Sequence, residues 1–370
     1  MILLILLICV AAAVLLSQLL IDRFGFTNLT YSLAFDADEV TEGETVTLTE
    51  TICSSKLLPL PWVKAELTTH SALELAADQS AVSGETRFVS SYFCLFPYRR
   101  IARKWQVRCT KRGIFTVSHA VIVLNDLFAS AEQSRAYPEA FAQITVLPAT
   151  VDTPQIREFP DQLTGDVLRR RTLIPDRFAF CGIRQYADGD PVRDICWSAS
   201  ARAGEPMVRQ FQETSTPSLT VLLRMETRET DIAQVSDLAL HEDAIRLSAS
   251  YLARCAEARI PVRFLANTEI NGLPAETAFA SGADEKLRLL RMLAAMEGTV
   301  AYPFRRLLRR MMAEDSAASI LVIVSRAEED LLRLAAREPR MTVVSLKPLP
   351  LHTHLENVQY AALHNKEETA

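Results

Sequence analysis

The residues most able to do chemistry lie together in one stretch, Gly182-Ile-Arg-Gln-Tyr-Ala-Asp-Gly-Asp-Pro-Val-Arg-Asp-Ile-Cys-Trp-Ser-Ala-Ser-Ala-Arg202. It is the chain's densest mixture of charged, aromatic and turn-forming residues. Asp188 and Asp190 have the spacing of an acid–base pair, yet a turn accounts for both more simply. Gly189 tolerates positive φ, Pro191 fixes its own φ, and Asp side chains accept from nearby backbone donors. Cys196 beside Trp197 is a possible nucleophile. No histidine is near it in sequence, so an inert, half-buried thiol is the expectation. Arg184, Arg193, Arg202 and Arg209 match Asp188, Asp190, Asp194 and Glu205 in number. Guanidinium groups pair well with carboxylates, so these residues form either a local ion-pair network or a surface that leaves arginines for an anionic partner. In both readings Gly189 and Asp190 shape the turn and Trp197 packs.

Other chemistries have little support. The eleven glycines include neither GxxxxGK nor GxGxxG, the phosphate-cradling patterns. The seven cysteines contain no CxxC pair, which argues against a zinc knuckle or a disulfide scaffold. His241-Glu242-Asp243 lacks the second histidine four residues on that a zincin needs, and reads as an exposed helix face. His352 and His354 lie in a polar tail. No Gly-x-Ser-x-Gly elbow is present. Arg305, Arg306, Arg309 and Arg310 space like one solvated helix face, with anionic lipid or an acidic partner as the alternative. A net charge of −5 argues against nucleic acid as partner. The Asn28-Leu29-Thr30 sequon is discounted.

The 370 residues suffice for two domains of ordinary size. Ile2 to Ile21 is uncharged and nearly all apolar, about the 20 residues that cross a bilayer as a helix. No basic n-region precedes it, so residues 1–22 read as a retained single-pass transmembrane anchor rather than a cleaved signal. Residues 28–150 alternate apolar and polar side chains over short spans broken at Glu42-Gly43-Glu44, Pro59-Leu-Pro61, Ser83-Gly84 and Arg112-Gly113. That rhythm predicts an antiparallel β-sandwich of immunoglobulin-like type. Residues 151–217 are a linker carrying the signature stretch. In 218–350, strands at Leu219–Leu223, Pro261–Leu265, Ile320–Val324 and Met341–Leu346 alternate with helices. These helices are predicted at 238–258, 285–296, 304–312 and 328–337. The alternation predicts an α/β domain with a parallel sheet. Residues 351–370 form a polar tail, so the fold class is α+β multidomain.

Arg184-x-Tyr186-x-x-Gly189-Asp190-x-x-Arg193-x-Ile195-x-Trp197-x-x-Ser200-Ala201-Arg202 resembles the signature of the "domain of unknown function 58" family of prokaryotic membrane-anchored proteins. Glu42-Gly43-Glu44, Leu58-Pro59-Leu60-Pro61-Trp62, Lys111-Arg112-Gly113-Ile114-Phe115, Asn125-Asp126-Leu127-Phe128 and Val146-Leu147-Pro148 resemble its membrane-proximal β domain. The resemblance implies a von Willebrand factor A-like C-terminal domain and a MoxR-type AAA+ ATPase as partner, since members are often encoded beside one. Metal-binding von Willebrand A domains carry Asp-x-Ser-x-Ser after their first strand. Here that place holds Arg224-Met225-Glu226-Thr227-Arg228, and Ser325-Arg326 follows the later strand. Glu226 and Thr227 are weak ligands at best beside two arginines, so neither a metal nor a cofactor is expected.

The expected function is therefore a membrane-anchored protein-interaction or adaptor protein. Its site residues are Arg184, Tyr186, Gly189, Asp190, Arg193, Trp197, Ser200 and Arg202. The scattered thiols and the cytosolic nature of such an ATPase place the soluble domains on the cytoplasmic side of the cell membrane. An enzyme acting on cell-envelope or peptide substrates through the same stretch is the alternative, and a self-associating scaffold is a third.

Overall fold

A computed structural model describes residues 2–76, 80–125, 132–169, 180–187, 190–211, 217–228, 231, 233–314, 318–348 and 358–361. The chain forms two compact units, Met1–Ala149 with Leu290–Glu297, and Thr150–Leu289 with Gly298–Ala370.

The first unit opens with helix α1 (Ile2–Phe24). The expected anchor, 1–22, lies on this helix, but residue 1 and the side chains of 2–11 are outside the described residues. Among the described residues no helix is long and apolar enough to cross a membrane. The strands that follow are β1 (Leu29–Phe35), β2 (Glu39–Thr41), β3 (Thr45–Ser54), β4 (Leu60–His70), β5 (Leu73–Leu75) and β6 (Ser80–Ser83). Next come β7 (Thr86–Leu95), β8 (Arg100–Cys109), β9 (Gly113–Asn125), β10 (Glu132–Tyr137) and β11 (Ala142–Leu147).

They build two sheets, β1-β3-β8-β5 and β2-β11-β9-β4-β7-β6 with β10 on β9. Alternation along the strands makes this possible: β1 buries Leu29, Tyr31 and Leu33 and turns the residues between them outward. Buried side chains from both sheets join one core that includes Leu48, Ile52, Leu67, Ile122 and Ile144. Each such side chain contributes about 1.5–3 kcal/mol on leaving water. The sandwich departs from the all-antiparallel expectation in one place, because β2 runs parallel to β11. The short β2 is turned back at Gly43, whose φ of +91° suits glycine.

In the second unit residues 151–217 are more than a linker. They hold α2 (Pro154–Arg169), β12 (Phe180–Gln185), α3 (Trp197–Ala203) and β13 (Met207–Phe211). α2 is ordered by the burial of Ile156, Phe159 and Leu163, the Phe159 ring standing edge-on to Tyr251 at 4.8 Å. Beyond it run β14 (Leu219–Leu223), α4 (Leu238–Glu257), β15 (Val262–Ile270), β16 (Leu273–Glu276), α5 (Ala283–Ala295) and α6 (Phe304–Ala313). There follow β17 (Ser319–Val324), α7 (Glu329–Arg337), β18 (Met341–Ser345) and β19 (Val358–Tyr360), so the stretch 351–370 expected as a polar tail contributes a strand paired to β18. The rest of that stretch, His352 and His354 included, lies outside the described residues apart from Ala361. The sheet order is β16-β15-β14-β17-β18-β19, parallel except for the edge strand β16. β14 and β17 are buried at every position, as a sheet covered on both faces requires. From β14 the chain passes to β15 on one side and returns to β17 on the other. That reversal makes the carboxyl ends of β14 and β17 the topological switch point of the sheet.

Candidate functional site

The signature stretch folds onto a two-stranded ribbon. β12 and β13 pair antiparallel with Ile183 opposite Arg209 and Arg184 opposite Val208. Between them the chain makes a turn, a single 3-10 turn at Val192–Asp194, and α3. Gly204 ends α3 in the left-handed conformation at φ +73°, which glycine adopts without strain. Ser200 ties the helix to the ribbon: its Oγ donates to the Cys196 carbonyl at 3.0 Å and accepts from the Met207 amide at 2.8 Å. The Tyr186 amide donates to the Pro206 carbonyl at 2.9 Å.

Among the described residues, one pair of the anticipated ion-pair network forms, as a fork. Arg184 Nη1 and Nη2 each reach Asp190 at 2.7 Å, and the Ala187 amide also donates to that carboxylate at 2.9 Å. The guanidinium, with the amide behind it, holds Asp190 below the usual carboxylate range. Asp190 is thus a poor proton acceptor and a good turn clamp, not half of an acid–base pair. Its presumed companions Asp188 and Gly189 lie outside the described residues. Arg193 and Arg202 are exposed and make no ion pair among the described residues. Trp197, expected to pack, is 70% exposed instead. It is the first residue of a seven-residue helix none of whose residues is buried, while Cys196 before it and Val208 on β13 are buried. Cys196 is buried, and its thiol is lowered to about 7 by the Ser198 hydroxyl, then the Ala199 amide and Arg209. That differs from the ordinary thiol expected, since spacing alone does not reveal these three donors.

A second polar centre lies at the carboxyl ends of β14 and β17, where the sheet order reverses. Arg224 leaves the end of β14, where its amide donates to the Ile323 carbonyl at 3.0 Å. Its guanidinium is 13% exposed and ion-paired to Glu328, with Glu226 3.7 Å from Nε. Glu226 accepts from Asn267 Nδ2 and the Phe304 amide, each at 2.9 Å. Asn267 also accepts the Met225 amide at 2.9 Å and donates to the Tyr302 carbonyl at 2.8 Å. Thr227 is committed as well, donating to Asp231 at 2.9 Å and accepting from the Asp237 amide at 3.2 Å. The two weak ligand candidates, Glu226 and Thr227, are therefore already engaged by protein donors. Among the described residues no group of three His, Cys, Asp or Glu is arranged to hold a metal. Ser325 Oγ, buried at the end of β17, has no partner among the described residues. His241 is buried on α4, not on an exposed face, because it lies on the side of that helix that also buries Ala244, Ile245 and Ser248.

Asp231 is the hub of the loop after β14. Burial alone would raise its carboxyl, but the Ser236 and Thr227 hydroxyls and the Arg228 and Thr227 amides bring it down to about 2. Its folded value lies below its unfolded one, so its stabilisation is present above pH 4 and lost as pH falls toward 2. Asp231→Asn should cost about 2 kcal/mol in urea unfolding at pH 7. The gap from wild type should close on titration below pH 2; a pH-independent gap would assign the loss to geometry.

Of the anticipated site residues, Arg184 and Asp190 pair with each other, Ser200 ties α3 to β13 and the Tyr186 amide donates to the Pro206 carbonyl, while Arg193, Trp197 and Arg202 face outward. Sequence reasoning overlooked Asp231, Asn267 and Glu328. The partners of Asn267 and Glu328 lie far along the chain, whereas those of Asp231 are within five residues of it, in a loop with no recognisable motif. Asn267 alone carried a signal, as a polar residue inside an apolar strand.

No curated protein matches the chain. The CARDB domain of the PF1109 protein from Pyrococcus furiosus is similar at 11% identity, over 33% of this chain and 94% of that one, with a TM-score of 0.22. A non-cellulosomal cohesin from Archaeoglobus fulgidus is similar at 11% identity, over 32% and 91%, with a TM-score of 0.23. A cohesin module from a Clostridium perfringens family 33 glycoside hydrolase is similar at 10% identity, over 32% and 95%, with a TM-score of 0.24. Residues 182–347, from the first strand of the ribbon to the end of the long parallel strands, match the family model described as protein of unknown function DUF58, which supports that family for this part of the chain.

Proposed function

We propose that this protein is a membrane-anchored adaptor whose signature stretch docks a protein partner, a MoxR-type AAA+ ATPase. In this reading α1 is the single-pass anchor, the β-sandwich is a spacer, and the parallel-sheet unit is a von Willebrand factor A-like domain. The soluble domains sit on the cytoplasmic side, where such an ATPase is found. One observation carries the reading: the exposed indole of Trp197 between Arg193 and Arg202, neither of which has an ion-pair partner among the described residues. Tryptophan and arginine dominate the energetics of protein interfaces, and the exposed indole leaves a large apolar area in water. Arg184 and Asp190 serve the turn beneath, so the outward and inward roles fall on different residues.

Affinity purification from native membranes in mild detergent, with and without ATP, tests this. Trp197→Ala and Arg193→Glu should each reduce recovery of the ATPase about 30-fold, the equivalent of about 2 kcal/mol at an interface anchor, with an unchanged unfolding midpoint. Asp190→Ala should lower the midpoint as well as the recovery. If no ATPase is recovered from wild type in any nucleotide state, the adaptor reading fails.

A further inference from the structure

We propose that the end of the β-sandwich joined to α1 seats directly on a lipid bilayer, with Leu57, Phe96 and Tyr98 in the interface and Arg23, Arg99 and Arg100 against headgroup phosphates. The inference rests on the anchor reading above and adds to it a second, surface contact.

Strand register places these residues at one end of the sandwich. Leu29 at the start of β1 lies opposite Ser54 at the end of β3, and Arg100 at the start of β8 lies opposite Cys53. Leu60 at the start of β4 faces Leu95 at the end of β7. The loops 55–59 and 96–99 therefore project where α1 enters. Hydrogen bonds bind the three pieces together. The Ser55 amide donates to the Asn28 carbonyl at 2.9 Å, the Tyr98 amide to Lys56 at 3.2 Å, and the Ser54 amide to Arg99 at 2.9 Å. Lys56, itself buried, donates through Nζ to the Phe24 carbonyl at 2.8 Å, which also accepts from Thr27, and to that of Gly25, so it helps cap the helix end.

On this fixed rim the apolar side chains point to solvent. Leu57 is 75% exposed, Tyr98 68% and Phe96 64%. Tyr98 holds φ +52°, a left-handed conformation unusual for a bulky residue, so the turn that presents the ring is strained. The described turns of α1 continue the apolar surface through exposed Leu15, Leu16, Leu19 and Phe24. Contiguous apolar surface of this kind marks an interaction site. Aromatic rings interleaved with arginines match the boundary between acyl chains and headgroups. Arg23, Arg99 and Arg100 are exposed and make no ion pair among the described residues, which leaves them for anionic headgroups. A lipid occupant suits this continuity with the helix better than a protein does.

The test uses the full chain in nanodiscs of phosphatidylcholine and phosphatidylglycerol, with Phe96→Trp compared against the parent. The added indole should lose at least about half its emission when the acyl chains are brominated and should be shielded from aqueous iodide. Val82→Trp, near the β6–β7 turn at the opposite end of β7, should show the reverse. A chain that fails to float with vesicles of the same lipids overturns the anchor and this inference together. A chain that floats, but whose indole at position 96 is quenched by iodide and not by bromine, overturns the seating alone. Shielding from both quenchers assigns the rim to a protein occupant and likewise overturns it.

Discussion

Replacing Arg224 by alanine should lower the unfolding free energy of the parallel-sheet unit by about 3 kcal/mol, the cost of leaving the buried Glu226 and the partly buried Glu328 without their cation. The guanidinium lies at the carboxyl end of β14, ion-paired to Glu328 at the start of α7 and facing Glu226. Glu226 cannot relax toward water, because it is buried and anchored by Asn267 and the Phe304 amide. The pair also joins the end of the central strand to a helix more than 100 residues away in sequence. Arg224→Lys should recover little, since an ammonium lacks the planar fork that reaches two carboxylates. Urea unfolding monitored by circular dichroism measures the loss. The decisive comparison is Arg224→Met with Glu226→Gln and Glu328→Gln: removing all three charges should restore much of the stability lost by removing one. A triple variant as unstable as Arg224→Ala would mean that the guanidinium acts through packing instead.

That ion pair also shows why some of the molecule was legible in the sequence and some was not. Leu219–Leu223 is found as a strand at its predicted bounds because five consecutive apolar or β-branched residues suit only a covered sheet. α6 and α7 were equally visible, since each carries its own apolar stripe. β12 and β13 were missed because each is a short polar–apolar mixture that becomes a strand only by pairing across more than 20 residues. The parallel β2–β11 pair joins residues 39–41 to 145–147, and nothing local announces it. Within the site, the Asp190 clamp was legible because Arg184 is close in sequence and a turn constrains both. Trp197 was not, because residue type records the apolar area of a side chain and not whether a neighbour exists to cover it. The same holds for Arg224 and Glu328, whose charges are plain but whose meeting depends on the sheet order.

The β-sandwich holds a comparable polar centre, and Glu50→Ala should destabilise it by about 3–5 kcal/mol, as several buried donors lose their acceptor. Glu50 is fully buried on β3. Its Oε1 accepts from the Tyr31 hydroxyl at 2.7 Å and the Ser91 hydroxyl at 2.6 Å, and its Oε2 accepts from Trp105 Nε1 at 3.0 Å. Tyr31 and Trp105 belong to the same sheet as Glu50, whereas Ser91 is on β7 of the facing sheet, so one carboxyl group fastens the two layers. Burial and then the Glu50 charge push the Tyr31 hydroxyl well above the usual phenol range, which keeps it protonated and donating at any pH the fold survives. Alanine would strand three donors and leave a cavity. Glu50→Gln keeps the shape but sets an amide N–H against hydrogen-bond donors, so it should lie between alanine and wild type. Glu50→Leu separates stability from specificity. If leucine is as damaging as alanine in urea unfolding followed by tryptophan fluorescence, the hydrogen bonds themselves stabilise the sandwich. A leucine variant as stable as wild type, but with broadened side-chain resonances, would mean that Glu50 selects one register between the sheets rather than strengthening it.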